Sequence, residues 1–275
     1  MKRDRNQGTI RFSKMSGTGN DFIVIDNINS TYSVDWKAFA QRYCTRKTSV
    51  GADGIIILEP SEKADFTFRI FNADGSEAEM CGNGARCAAA FAHEHMIAGP
   101  DMRFNTMAGM LEAKVADGEV SLKMTDPSDI KNDIKLTIDK DHLKAYFINT
   151  GVPHTIVFTD RIEDVDVSRT GSGLRNHPYF EPAGTNVDFV QVMDKGHILA
   201  RTYERGVEEE TLACGTGAVA SAIISAYTDK VDNRPVRVSM PGGDLRIDFQ
   251  SRDGSYRNVW LIGEADTVYT GEIRP

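Results

Sequence analysis

Residues 69–85 read R-I-F-N-A-D-G-S-E-A-E-M-C-G-N-G-A, and residues 201–218 read R-T-Y-E-R-G-V-E-E-E-T-L-A-C-G-T-G-A. Each run opens with arginine, sets an aromatic two residues on, and passes through acidic residues. Each ends in Cys-Gly-x-Gly-Ala ahead of an apolar segment. The echo extends upstream, where G-T-G-N-D-F-I-V-I (17–25) resembles G-T-N-V-D-F-V-Q-V (184–192). Two halves of similar build are therefore expected, each presenting one thiol, Cys81 and Cys214. A sulfur on either side of one substrate carbon suits proton removal from one face and return to the other.

Composition narrows the setting. The 275 residues carry a formal charge of −8, with 40% hydrophobic and 26% charged residues, as in a soluble globular protein. The negative charge argues against nucleic acid or an anionic membrane surface as partner. No apolar run reaches membrane-spanning length, and residues 1–8 are polar, without the core of a signal peptide. The cytoplasm is the expected location, with Cys44, Cys81, Cys87 and Cys214 as reduced thiols. Their spacings lack the paired C-x-x-C form of a structural zinc site. His93 and His95 stand two apart on an expected helix and diverge, so no metal site is expected there.

Short β-branched or alternating runs dominate, among them 22–25, 55–58, 66–71, 111–115, 120–124, 145–149, 155–158, 187–192, 198–203, 236–240, 245–249 and 259–263. Turn signals such as A-D-G (73–75), D-G (117–118), G-G-D (242–244) and D-G (253–254) separate them. Helices are expected at 34–43, 83–96 and 216–228. The last two follow the thiols and are alanine-rich and apolar on most faces, as in a core helix. One such helix per half, surrounded by strands, gives an α+β domain with a central helix. The halves are expected to be 1–126, with 266–275 returning to it, and 127–265.

A helix starting just after each cysteine leaves its first N–H groups without intrahelical partners and places partial positive charge there. Glycines allow close approach of a ligand, so Gly82-Asn83 and Gly215-Thr216 are expected anion seats. The same field is expected to lower the pKa of both thiols. An amino-acid α-proton is weakly acidic, and N–H donors at the carboxylate would stabilise the charge that develops as it leaves. No pyridoxal-lysine signature is recognisable, and no cofactor is expected. Cys87, inside the helix among alanines, reads as core, and Cys44 carries no assigned role.

Seven motifs in order then resemble the diaminopimelate epimerase family: K-M-S-G-T-G-N-D-F (14–22), F-N-A-D-G-S-E (71–77), M-C-G-N-G-A-R-C (80–87), G-V-P-H (151–154), G-T-N-V-D-F (184–189), Y-E-R-G (203–206) and E-T-L-A-C-G-T-G (210–217). The resemblance runs from about Phe12 to near the C-terminus. It implies two pseudo-symmetric domains, each a strongly curved, mostly antiparallel sheet around a central helix, with the site in the cleft between them. It implies interconversion of LL- and meso-2,6-diaminopimelate in lysine and peptidoglycan precursor synthesis, with Cys81 and Cys214 as the two bases. It implies that the reacting carboxylate sits on Gly82, Asn83, Gly215 and Thr216. Asn20, Asn72, Asn186, Glu204 and Arg205 would hold the substrate, largely its far end. His154 and Glu204 would tune thiol ionisation, and a homodimer is the implied assembly.

Two positions depart from the family pattern: Gly54, where many members carry glutamine, and Val152, where asparagine is common. Valine cannot replace an amide that bonds the substrate. The nearest alternative is a proline or hydroxyproline epimerase of the same fold. Those usually carry histidine where this chain has Asn83, and Y-E-R-G suits an acyclic substrate with a second charged end. A non-catalytic amino-acid-binding protein would use the same anion seats without needing two thiols.

Overall fold

Both Cys-Gly-x-Gly-Ala runs open a helix that is buried along most of its length. The computed structural model describes residues 8–138, 140–232 and 234–274. Contacts divide the chain into two units: the N-terminal part to Leu122 together with Gly263 onward, and Lys123–Ile262.

The first unit contains strands β1 (Ile10–Gly17), β2 (Asn20–Asp26), β3 (Gly54–Glu59), β4 (Phe66–Asn72), β5 (Glu77–Ala78), β6 (Asp101–Thr106), β7 (Gly109–Ala116) and most of β8 (Glu119–Lys123). Its helices are α1 (Trp36–Tyr43) and α2 (Gly82–Glu94). The second contains β9 (Ser128–Ile138), β10 (Asp141–Asn149), β11 (Pro153–Phe158), β12 (Asn186–Asp194), β13 (His197–Glu204), β14 (Glu209–Thr211), β15 (Val236–Met240), β16 (Gly243–Arg252) and most of β17 (Ser255–Glu264). Its helices are α3 (Val167–Arg175) and α4 (Gly215–Tyr227). The last strand, β18 (Asp266–Ile273), pairs antiparallel with β1, bringing Ile273 opposite Ile10.

The two units share one wiring. In the first, β1 pairs antiparallel with β2, β2 parallel with β3, β3 antiparallel with β4, and β4 parallel with β6, followed by antiparallel β7 and β8. In the second, β10, β11, β12, β13, β15, β16 and β17 repeat that order and sense. β9 lies against β10 as β18 lies against β1. Each parallel pair is bridged by a helix: α1 and α3 at the first crossover, α2 and α4 at the second. The architecture is α+β with four α-helices among the described residues.

Register fixes the residue correspondence. Gly54 pairs with Phe22 and Ile57 with Arg69; Asn186 pairs with His154 and Phe189 with Arg201. Phe22 therefore matches His154, Gly54 matches Asn186 and Arg69 matches Arg201. This corrects the upstream echo. Residues 17–25 form the turn and second strand of the β1–β2 hairpin, whose counterpart is 149–157. The G-T-N-V-D-F run enters β12, the counterpart of β3. The two runs look alike because both pair a glycine turn with an alternating strand.

The sheet of each unit is covered on two faces, so its central strands are apolar throughout rather than alternating. In β3, Ile55 and Ile57 pack with Trp36, Phe39 and Tyr43 of α1. On the opposite face, Ile56 reaches Gly84 of α2. α2 packs against β1, β2, β3, β4, β7 and β18 of its own unit, and α4 against β10, β11, β12, β13, β15 and β16. Residues 217–225 of α4 are all buried, which explains a helix apolar all round.

Candidate active site

Cys81 is the N-cap of α2 and Cys214 the N-cap of α4, both in extended backbone and neither making a side-chain capping bond. The helical bonds begin with Ala85 N to Cys81 O at 2.7 Å and Ala218 N to Cys214 O at 2.8 Å. The N–H groups ahead of them are left for another acceptor. Gly82 faces open space, where even a Cβ would meet nothing within 4 Å; at Gly215 a Cβ would meet only Leu261. Backbone N–H groups at both places are open to approach, each one residue from a cysteine. Cys81 is half-buried and Cys214 is buried.

The repeated arginine has a structural duty. Arg69 grips Glu77 through Nε–Oε1 at 2.7 Å and Nη2–Oε2 at 3.1 Å, and Arg201 grips Glu210 at 2.6 and 2.7 Å. Such forked pairs fix geometry, here tying the short strand that leads into each cysteine to the strand before it. One acidic residue of each motif, Glu77 and Glu210, is thus an ion-pair partner.

Around Cys81 the other groups are amides and cations. Asn83 donates Nδ2 to Asn20 Oδ1 at 2.7 Å and to the Thr18 carbonyl at 3.4 Å; its Oδ1 accepts from Arg86 at 3.1 Å. The Asn83 side chain is therefore engaged, and its backbone N–H is what remains for a ligand. Asn20 Nδ2 donates to Asp53 Oδ2 at 2.9 Å, and Asp53 accepts from Arg46 at 2.7 Å. Asn72 is the last residue of β4, exposed, donating to Ser76 Oγ at 3.0 Å. Cys87 is buried, and burial pushes its thiol up to about 12.

Around Cys214 lies a different set. His154 and Asp188 are wholly buried and bonded Nδ1–Oδ2 at 2.7 Å; Asp188 Oδ1 accepts from Thr202 Oγ1 at 2.7 Å. Asn186 Nδ2 lies 3.4 Å from His154 Nε2 and donates to the Pro153 carbonyl at 3.2 Å. That pattern suits a neutral imidazole, with the proton on Nδ1 and Nε2 accepting. Asn186 Oδ1 accepts from Arg205 N at 2.8 Å, so this amide too is spent on its neighbours. Arg205 gives one guanidinium bond to the Ala183 carbonyl at 2.9 Å. Among the described residues no carboxylate pairs with it, which leaves its fork available to an acidic ligand.

One expectation is overturned here. The helix N-terminus was expected to lower the Cys214 pKa, but burial, with the carboxylates of Glu204 and Asp188, raises it well above the ordinary thiol value. The contact with Thr216 Oγ1, 3.4 Å from the sulfur, only partly opposes this. Desolvation outweighs the helix field. Burial also raises Glu204, despite the hydrogen bond from Thr211.

Gly217 and Gly84 show how the units diverge at matched positions. A Cβ on Gly217 would strike Asp188 Oδ1 and lie 3.0 Å from Thr202 Oγ1. A Cβ on Gly84 would meet Ile70 at 3.1 Å and Ile56 at 3.3 Å. The polar trio His154–Asp188–Thr202 thus replaces the apolar trio Phe22–Ile56–Ile70. Sequence reasoning missed Asp188, Thr202 and Arg86. The available signals were an aspartate interrupting an apolar strand and an arginine inside an alanine run. The departures also resolve locally. A Cβ at Gly54 would lie 2.5 Å from the Phe71 carbonyl oxygen, so no side chain fits there. Val152 occupies the position matched to Asn20.

The family model for diaminopimelate epimerase matches residues 12–130 and 146–268. The diaminopimelate epimerase of Aquifex aeolicus is 42% identical over 276 residues, covering 96% of this chain and 98% of that protein. That of a Hydrogenobaculum species is 45% identical over 273 residues, covering 95% and 97%. Among solved structures, a phenazine biosynthesis protein of the PhzF family from Bacillus anthracis shares the fold, with a TM-score of 0.75 at 16% identity over 98% of this chain and all of the other. On its family match and near-full-length identity to these relatives, the chain belongs to the diaminopimelate epimerase family.

Proposed function

We propose that the protein is an isomerase that interconverts LL- and meso-2,6-diaminopimelate through Cys81 and Cys214. The observation that supports this reading is the duplicated half-site: in each unit a cysteine stands at the N-terminus of a buried helix, and the N–H groups of its first two residues, Gly82-Asn83 and Gly215-Thr216, have no helical acceptor.

The chemistry follows from those groups. A thiolate takes the α-proton, and the electron pair moves onto the α-carbon and its carboxylate. Backbone N–H groups at Gly82, Asn83, Gly215 and Thr216 receive the carboxylate and stabilise that charge. The other cysteine, as thiol, delivers its proton to the opposite face. The α-carbon is inverted, one sulfur has gained a proton and the other has lost one, and the pair resets through solvent. Cys214, held as thiol by burial and by Glu204 and Asp188, is the proton donor of the resting protein. His154 and Glu204 set the field at that sulfur. Asn186 works indirectly, through the backbone of Arg205 and the His154 ring. Arg205 receives the distal carboxylate, with Asn20 and Asn72 lining the same substrate. Cytoplasmic location and homodimeric assembly are part of this reading; sedimentation of the purified protein tests the latter.

The test is incubation of reduced protein with LL-diaminopimelate in deuterated water without added cofactor, following the α-proton by NMR. The expected result is exchange with formation of the meso isomer. Cys81→Ala and Cys214→Ala should each abolish it while ligand binding persists. A folded wild-type protein that exchanges no α-proton would overturn the reading.

A further inference from the structure

Arg86 is the largest fully buried side chain in the protein, at 0% exposure. Its guanidinium donates through Nη2 to Thr18 Oγ1 at 2.7 Å and to Asn83 Oδ1 at 3.1 Å, while Nε and Nη1 find no acceptor. Among the described residues it has no carboxylate partner. A buried cation with only two neutral acceptors is costly, by several kcal/mol in typical cases. Burial acts to depress its pKa, yet an arginine does not lose its proton in a protein. Such a charge is retained where it offsets an opposite one.

Arg86 lies on α2 next to Cys87, and it bonds Asn83, two residues past the N-cap Cys81; its charge acts on Cys87 and then on Cys81. Cys87 is fully buried and stays protonated, which leaves Cys81. The matched position in the second unit is Val219, beside a cysteine surrounded instead by Asp188 and Glu204.

A second observation points to the same place. Thr18, which holds the guanidinium, has a φ of +48°. For a β-branched residue that is an outlier and a source of backbone strain. The strained turn presents both its hydroxyl and its carbonyl to the first turns of α2, where Arg86 and Asn83 take them.

We propose that Arg86 is a positioning residue for the Cys81 half-site: tied to Thr18, it fixes a buried positive charge in the first turns of the helix that Cys81 opens and locks the Asn83 amide, so that Cys81 carries the negative charge of the resting pair. This rests on the reading of Cys81 and Cys214 as the two acid/base thiols. The remaining charges in this part of the unit do not replace it. Asp53 and Asp21 are engaged by Arg46, and Lys14 is bonded to Asp21. Glu77 is held by Arg69. Glu79, two residues before the cysteine, and Asp266 of β18, which acts on Cys87, are anions and oppose ionisation.

The experiment is the pH profile of iodoacetamide alkylation, without substrate, read separately at Cys81 and Cys214 by peptide mass spectrometry. In the wild type, Cys81 should react first at neutral pH. Arg86→Met should move the Cys81 midpoint up by about one pH unit, slowing its alkylation at neutral pH roughly tenfold. Arg86→Lys should recover part of that shift, and the Cys214 profile should stay in place. Should Arg86→Met fail to fold, Thr18→Gly removes the tether while relieving the turn. It is expected to keep or raise Tm and still slow Cys81. An unmoved Cys81 profile in the folded variants, or faster reaction at Cys214 in the wild type, overturns the proposal. A wild type that alkylates as described yet fails to epimerise diaminopimelate sinks the functional reading instead.

Discussion

At matched positions the two units hold opposite solutions to one packing problem. Phe22, Ile56 and Ile70 fill the space behind α2; His154, Asp188 and Thr202 fill it behind α4. Replacing a well-hydrogen-bonded buried polar set by apolar residues of similar volume is often neutral or stabilising, whereas removing one partner alone costs roughly 3–5 kcal/mol. Asp188→Ala should therefore unfold at clearly lower denaturant than the wild type. The triple replacement His154→Phe, Asp188→Ile, Thr202→Ile should recover much of that loss and yet turn over poorly. Equilibrium unfolding beside kcat checks both; a triple variant as unstable as Asp188→Ala would show that the trio is structural. The two cysteines were legible in the sequence because their context repeats. The groups that distinguish them were not, since one half carries apolar residues at the positions where the other is polar, and a repeat displays only what the halves share.

At the scale of the helix, the contrast is in the caps. Asp35 accepts from Ala38 N to cap α1 and Asp166 accepts from Arg169 N to cap α3, whereas α2 and α4 begin on cysteines, whose sulfur is a weak acceptor. Serine is a far better N-cap. Cys81→Ser should thus raise stability by about 0.5–1 kcal/mol while kcat falls roughly a hundredfold or more, because an alkoxide is much harder to form than a thiolate. Thermal melts and initial rates on one preparation test this; a lower Tm in the Cys81→Ser variant would count against an uncapped helix. The helices after the thiols were readable from their alanine content. α3 was not, because its run V-S-R-T-G-S-G-L-R carries two glycines and few apolar residues. The glycines are there for packing: a Cβ on Gly171 would sit 2.5 Å from the Tyr203 Cβ, and one on Gly173 2.9 Å from Ile138. Tertiary contact overrides helix propensity. Strand β9 was hidden by its charges, since most of it is exposed and Asp129 and Asp133 adopt positive φ.

Over the whole molecule, buried thiols set an alkaline limit. Burial raises Cys44 and Cys87 from 9.0 to about 12, and Cys214 also lies well above that ordinary value. Between pH 9 and 12 the unfolded chain releases these protons while the folded chain keeps them. The unfolded state then binds fewer protons, so stability falls as pH rises. Chemical denaturation across that range should show the midpoint dropping steadily, and Cys44→Ala with Cys87→Ala should flatten the slope. An unchanged slope would mean that these thiols ionise within the fold. The chain order of the second unit, β9 through β17, runs without interruption, whereas the first is finished only when β18 returns to β1.

That return strand sets the phase of the repeat. Because β18 stands to β1 as β9 stands to β10, and Ile273 faces Ile10 across the ladder, a short hairpin loop there with a new start before Asp266 would give a circularly permuted chain. Its two halves would then follow one another in identical strand order. The internal repeat is thus strand for strand, set out of phase with the order of the chain by a single strand.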